Sequence, residues 1–249
     1  MNKKERQKLI LNEVHLHNRV LLNDLARKLH VSSDTIRRDI IELDKDGKLI
    51  RVHGGAQAVG FQLYNYNARE IFFHEEKMKI AAKAIALVAA GSVSLISGGT
   101  TNLEFARSLP EDLQATFFTP SLPVAMQLLT KPLIEVIFIG GRLSHSSQIA
   151  LGGNALISLA DIKFDNCFIG TSYLDDDRGI TEFDWDVVQL KKAMIAASDN
   201  IISLTLSQKL GSTQRYKVCN ANDIDILVTE LEPTHPILSP YQNQGIEII

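Results

Sequence analysis

Arg37 and Arg38 stand side by side in a helical pattern whose leading end carries Ser32, Ser33, Asp34 and Thr35. A guanidinium presents a rigid fork of donors that can make two bonds to a guanine edge or grip the phosphates beside it, and hydroxyls add donors for phosphate. Downstream, the stretch Leu49-Ile50-Arg51-Val52-His53-Gly54-Gly55-Ala56 is apolar and basic and ends in a Gly-Gly turn. A second chemistry is written in glycines. Gly98-Gly99-Thr100-Thr101, Gly140-Gly141-Arg142, Gly152-Gly153 and Gly170-Thr171-Ser172 each follow an apolar run. Glycine lets backbone approach a ligand, the amides of an opening helix point at an anion, and two threonines add hydroxyls, so the first of these motifs has the makings of a phosphate cradle. One Gly pair alone marks only a turn; several on one sheet edge point to a small anionic ligand. The two cysteines, Cys167 and Cys219, have no second Cys or metal-spaced His beside them. Neither a disulfide framework nor a metal or cofactor site is expected.

The elements that must position the first group are three helices and a strand. Periodicity starts near Lys3, with Leu9, Ile10, Val14 and Leu16 read as one face, and stops at the polar break His17-Asn18-Arg19. A second helix over 21–29 presents Leu22, Leu25, Ala26 and Leu29, and a tight turn leads to a third. There Ser32 is placed to cap, and Val31 is placed to pack on Ile36 as a hydrophobic staple. Ile36, Ile40 and Leu43 form the inner face of the third helix, so at least one of the flanking arginines projects outward with Ser33 and Asp34. Two helices joined by a tight turn, the second rich in Arg and hydroxyls at its leading end, match a helix-turn-helix entering a major groove, and 49–56 matches a wing. For any one Arg the plainer reading is a solvated surface; the combination of staple, paired Arg, turn and basic wing outweighs it.

Charge divides the same way. The chain has 26 Lys+Arg against 29 Asp+Glu over 249 residues, a net of −3, which as a single figure argues against a polyanionic partner. Residues 1–60 carry 12 basic against 8 acidic residues, a net of +4, and the remainder carries −7. A basic piece of sixty residues joined to a longer acidic one suggests two domains with different partners. We place the boundary where FQLYNYNAREIFF breaks the periodicity: a DNA-binding domain over 1–60, a linker over 61–73 and a second domain over 74–249. In that second domain helical patterns over 75–90, 101–109, 123–129, 154–159 and 185–198 alternate with apolar runs over 92–97, 116–119, 134–139, 166–170, 201–206 and 224–229. This is an α/β alternation, calling for a mostly parallel sheet covered on both faces, with ligands at the carboxyl ends of the strands. The N-terminus mixes Glu, Asn and His into its apolar residues, which is no secretory signal, and no apolar run is long enough to span a membrane, so a cytoplasmic protein with no membrane partner is expected.

The run VSSDTIRRDIIELDKDGKLIRVHGGA resembles the amino-terminal signature of the DeoR family of bacterial transcriptional regulators. The resemblance implies a winged helix contacting a double-stranded DNA operator through Ser33, Thr35, Arg37, Arg38, Arg51, His53 and Gly54. It continues to about residue 230, where it implies a domain similar to the ribose-phosphate isomerase and glucosamine-phosphate deaminase fold that senses a phosphorylated sugar or related metabolite. The matching positions imply an effector site at Gly98, Gly99, Thr100, Thr101, Gly140, Gly141, Gly152, Gly170, Glu182 and Lys209, the last as a phosphate or hydroxyl contact.

Three positions depart from the family pattern. Ser97 and Gly98 stand where an Asp is usual before the Gly-Thr-Thr loop, Thr119-Pro120-Ser121 replaces Thr-Asn-Ser, and Leu206 replaces an Asp three residues before Lys209. In the family these positions bond sugar hydroxyls, so the changes imply altered or weakened sugar specificity while phosphate binding is less affected. An isomerase-like enzyme would need a base at such an edge; Asp165, Asp175, Asp176, Asp177, Glu182 and Asp184 are the available acids, and Ser97 and Leu206 occupy the expected base positions. No catalytic residue is therefore assigned. The expectation is a regulator, a repressor of carbohydrate-metabolism genes, acting as a homo-oligomer (dimer or tetramer) on a symmetric operator. The alternative is a regulator whose second domain is a ligand-free dimerisation module.

Overall fold

The computed structural model describes residues 1–59 and 72–249, which fall into two compact units, Met1–Phe72 and Phe73–Ile249. The linker expected over 61–73 lies, except for Phe72 and Phe73, outside the described residues.

In the first unit α1 (Lys3–His17) opens with a capping box: Asn2 accepts from Glu5 N–H, and the Glu5 carboxylate accepts from Asn2 N–H. Its inward face is Ile10, Val14, Leu16 and His17, whereas Leu9, expected there, is 41% exposed. Ile10, Val14 and His17 follow the i, i+4, i+7 stripe of a 3.6-residue period, and Leu9 lies one step off it. Asn18, at φ 64°, turns the chain. The polar break then becomes a strand, β1 (Arg19–Leu21), followed by α2 (Leu22–Lys28), α3 (Ser33–Lys45), β2 (Ile50–Val52) and β3 (Gly55–Gln57). β1 pairs antiparallel with β3 and β3 with β2, so β3 is the central strand. Gly55 makes that pairing possible, because a Cβ there would lie 1.9 Å from the Val20 carbonyl oxygen. Ile36, Ile40 and Leu43 of α3 close on Ile10, Val14, Leu25, Leu49 and Ala56 as one core.

The second unit runs α4 (His74–Ile85), β4 (Val93–Ile96), α5 (Thr100–Ser108), β5 (Ala115–Thr119), α6 (Leu122–Leu128), β6 (Ile134–Phe138), β7 (Arg142–Leu143), β8 (Ala150–Leu151), α7 (Gly153–Ala160), β9 (Phe164–Gly170), β10 (Tyr173–Asp175), β11 (Gly179–Glu182), α8 (Trp185–Ala196), β12 (Ser198–Leu204), β13 (Tyr216–Cys219), β14 (Ile226–Val228), α9 (Ser239–Gln242) and β15 (Glu247–Ile248). β15-β14-β12-β9-β4-β5-β6 form a seven-stranded sheet in which every pairing is parallel. β10, β11 and β13 form a separate antiparallel sheet, and β7 and β8 a short ribbon. Neither was foreseen, since both join residues far apart in sequence or too few to show a period. The helix expected over 75–90 ends at Ile85: Leu87 and Val88 bond back three residues, as tight turns, to Ala84 and Ile85. Cys167 and Cys219 are free and buried, and burial pushes their thiols up to about 12 and about 11.

Candidate functional site

Ser32 caps α3 as its sequence suggests, accepting from Thr35 N–H at 3.2 Å, and Val31 packs against the apolar core. This fixes the rotation of the helix: Ile36 and Ile40 point inward, while Arg37 and Arg38 are both exposed. Arg37 is held by Asp34 at 3.1 Å, an exposed i,i+3 pair of the kind that is weak in water and readily exchanged for a phosphate. Arg38 has no ion-pair partner among the described residues. The Ser33 hydroxyl donates to Asn23 at the start of α2 at 3.1 Å, tying the leading turn of α3 to that helix, and the hydroxyls of Thr35 and Ser32 are bonded at 2.9 Å within the cap. Arg51 and His53 are exposed on the β2–β3 hairpin, whose turn uses Gly54 at φ 77°. The Arg51 N–H donates to Asp44 at the far end of α3, so the root of the wing is anchored to the same helix.

Sequence reasoning missed what seats that helix. Asp39, only 2% exposed, takes a forked pair of bonds from Arg6 of α1 at 2.5 and 3.2 Å, and that hydrogen bonding raises the Arg6 pKa. An acid on the apolar stripe between Ile36 and Leu43 was the available signal.

At the carboxyl edge of the seven-stranded sheet the described geometry links most of the expected effector positions. Gly99 (φ 108°) and Gly152 (φ 95°) precede the first residues of α5 and α7, in backbone regions open to glycine. Gly170 closes β9 against the turn after β4; a Cβ on it would lie 2.7 Å from the Gly98 carbonyl oxygen. Gly98 lies in turn beneath Ile149, whose neighbour Ala150 begins β8, and Gly141 packs on the Leu151 carbonyl of the same strand. Gly140 is open. Thr100 and Thr101 open α5, with Thr101 buried.

Two lysines donate to successive carbonyls at the end of β9. Lys191 bonds Gly170 at 2.7 Å and Lys209 bonds Thr171 at 2.7 Å. Lys191 also makes a short ion pair with Glu182, both almost fully buried, so the Glu182 carboxylate expected at the effector is taken up by this lysine. Lys209 has no carboxylate partner among the described residues, and burial, helped by the nearby Lys77, lowers it from 10.5 to about 7. Lys77, in the first turn of α4, is 3% exposed and lowered by burial to about 8, with Glu104 opposing the shift. Glu104 is itself buried, pairs with Arg107 at 2.9 Å and lies 3.6 Å from His74 Nδ1. Neither Lys77 nor Lys191 stood out in the sequence, where each reads as an ordinary helical lysine.

The strand-end departures have internal roles. Ser97 Oγ accepts from Gly170 N–H at 2.8 Å and from Asn102 at 2.9 Å, and Leu206 is buried. Among the described residues no group of three His, Cys, Asp or Glu is placed to hold a metal ion, and no helix is long and apolar enough to cross a membrane.

Two family models match the chain: a DeoR-like helix-turn-helix domain over residues 6–60 and a DeoR C-terminal sensor domain over residues 73–231. The chain belongs to the DeoR family. The HTH-type transcriptional repressor GlcR of Bacillus subtilis (strain 168) is 30% identical over 251 residues, covering 100% of this chain and 96% of that protein. The HTH-type transcriptional repressor CsqR of Escherichia coli (strain K12) is 33% identical over 230 residues, covering 92% and 88%. This DeoR-family protein is accordingly a DNA-binding transcriptional regulator with a sensor domain, and not an enzyme. Ribose 5-phosphate isomerase A from Methanocaldococcus jannaschii aligns with a TM-score of 0.39 and 19% identity over 54% of this chain and 53% of that one, a likeness too loose to argue from. The α/β assignment of the sensor domain stands on its own parallel sheet.

Proposed function

We propose that this DeoR-family regulator is a cytoplasmic repressor of carbohydrate-metabolism genes, controlled by a phosphorylated sugar or related metabolite at the carboxyl edge of the sensor sheet. Operator contact is assigned to Ser33, Thr35, Arg37 and Arg38 on α3 and to Arg51, His53 and Gly54 on the wing. A single winged helix buries too little surface for tight specific binding, so two copies on a symmetric operator are required. Effector binding shifts the population between paired arrangements that match and do not match the half-site spacing.

The observation that carries the effector half is Lys209: a half-buried ammonium with no carboxylate partner among the described residues, bonded to the Thr171 carbonyl next to Gly170, which itself packs on Gly98 before α5. A buried cation without a counter-charge is costly, and an anion bound there supplies the charge. On this reading the ligand also meets the Gly98, Gly99, Thr100, Thr101 and Gly170 backbone, with Gly140, Gly141 and Gly152 across β8 and Glu182 acting through Lys191. The test is operator affinity, on a duplex selected from a random pool, with and without phosphorylated sugars, alongside thermal shift of the full chain. The reading expects a ligand that raises the melting temperature and changes operator affinity; unchanged affinity at saturating ligand would leave the second domain a dimerisation module.

A further inference from the structure

We infer that β6 is a self-pairing edge: a second copy of this chain lays its own β6 antiparallel beside it about a two-fold axis at Val136, joining the two seven-stranded sheets. The inference rests on the pairing of two copies proposed above and names the surface that achieves it. The sheet has two edges, β15 and β6, and they differ. β15 is two residues long and carries Glu247, the short, charged form by which a protein keeps an edge from recruiting another strand. β6 is five residues, Ile134-Glu135-Val136-Ile137-Phe138, with no Pro, Gly or Lys. Among the described residues no strand pairs with its outer side. Ile139 N–H donates to the Thr119 carbonyl of β5. In a parallel ladder alternate residues bond the same neighbour, so Glu135 and Ile137 also face β5, and the amides and carbonyls of Ile134, Val136 and Phe138 point outward.

That spacing fits the strand to itself. In an antiparallel pair centred on Val136, Val136 meets its own copy and Ile134 meets Phe138. All three present outward backbone groups, so each pair exchanges two hydrogen bonds. The side chains agree: Phe138, 40% exposed, gains the β-branched Ile134 of the copy as its cross-strand neighbour. On the other face Glu135, the one charged residue of the strand, falls opposite Ile137 of the copy, so like charges do not oppose each other. Its carboxylate already accepts from the Thr116 hydroxyl at 3.1 Å. The surroundings are apolar. Leu133 precedes the strand, and α6, which packs on β5 and β6, exposes Met126 and Leu129. At about 200 Å² for a fully exposed large side chain, these three with Ile137 and Phe138 leave on the order of 500 Å² of apolar surface. That is more than half of the ~800 Å² each partner buries in a stable complex, and a large patch to leave in water.

The test is the mass of the full-length protein in solution, by sedimentation, together with hydrogen exchange of its amides. The expected result is an even-numbered oligomer in which the Ile134, Val136 and Phe138 amides are protected. Ile137→Glu sets an acid opposite Glu135 of the copy and should weaken association at least about tenfold, halving the mass, whereas Ile137→Lys sets a base there and should keep it. Both replace an exposed side chain, so an unchanged melting temperature confirms the fold. Val136→Pro removes an outward N–H without touching the β5 ladder and should halve the mass too. An oligomer unchanged by Ile137→Glu and Val136→Pro overturns the inference and leaves the pairing of copies to another surface. Equal loss in Ile137→Glu and Ile137→Lys overturns the register about Val136. Amides of β6 that stay protected in a monomeric variant mean that the chain covers its own edge, which overturns the inference as well. A native protein that is monomeric in solution overturns it even where two copies occupy an operator; one copy per operator overturns the pairing proposed above.

Discussion

The two units hold the cations of their candidate sites in opposite ways. Arg37, Arg38 and Arg51 stand on the surface, loosely paired or unpaired, whereas Lys77, Lys191 and Lys209 lie in the interior or half-buried, each tied to a fixed neighbour or shifted by its surroundings. A surface guanidinium in water can turn to meet a long polyanion, and its gain depends on salt. A buried ammonium is positioned before the ligand arrives and is little screened, but it must be neutralised by a carboxylate, as Lys191 is, or lose its proton more easily, as Lys209 does. One region carries a DNA-binding fold, and the other, on the reading proposed above, holds a small anion.

Breaking a buried pair should show the contrast most strongly. Lys191→Met leaves Glu182 buried without its partner and should destabilise the sensor unit by about 3–5 kcal/mol, while Arg37→Ala, which removes an exposed pair, should cost less than about 1 kcal/mol of stability. Urea denaturation of the full chain measures both, and equal losses would erase the distinction. On DNA the order reverses. Arg37→Ala or Arg38→Ala should weaken specific operator binding by about 1–3 kcal/mol if the arginine reads a base, or lower the salt slope without changing specificity if it holds only phosphate. Full operator affinity in both variants would remove α3 as the recognition helix.

Thr100→Val combined with Lys209→Met should abolish the effector response and leave operator binding intact; a surviving response places the ligand elsewhere. The smallest effect is a pH dependence. Lys209 at about 7 sheds its proton as pH rises, so affinity for a phosphate ester, already a dianion there, should fall between pH 7 and 9 in the native protein and stay flat in Lys209→Met. The sign for stability is opposite: between about 7 and 10.5 the unfolded chain binds the proton that the fold does not, so Lys209 makes the fold more stable as pH rises across that window. Calorimetry and denaturation across the same buffers separate the two trends.

Legibility differed between the units for the same reason. α3 was readable to its cap because Val31, Ser32, Ile36, Ile40 and Leu43 are neighbours along one helix, and their spacing alone decides which way Arg37 and Arg38 point. The β4–α5 turn was readable from Gly98 to Thr101 because a strand, glycines and a helix start are contiguous. Arg19–Leu21 was not, since its strand character comes from pairing with β3, more than thirty residues on. Nothing local showed that Lys191 pairs with Glu182 or that Ser97 accepts from Gly170 N–H, since each partner lies on another element.

The amino-acid sequence by itself determined the helix-turn-helix with its wing, the β-α alternation and the glycine turns at the strand ends, because each depends on periodicity and caps within one short segment. Only the tertiary structure decided which charges are spent and which remain. Lys191 meets Glu182, Arg6 meets Asp39, Ile149 covers Gly98, and Lys209 is left, among the described residues, with a carbonyl and no carboxylate. Desolvation and pairing depend on what distant segments bring to the same place, and no local pattern encodes that.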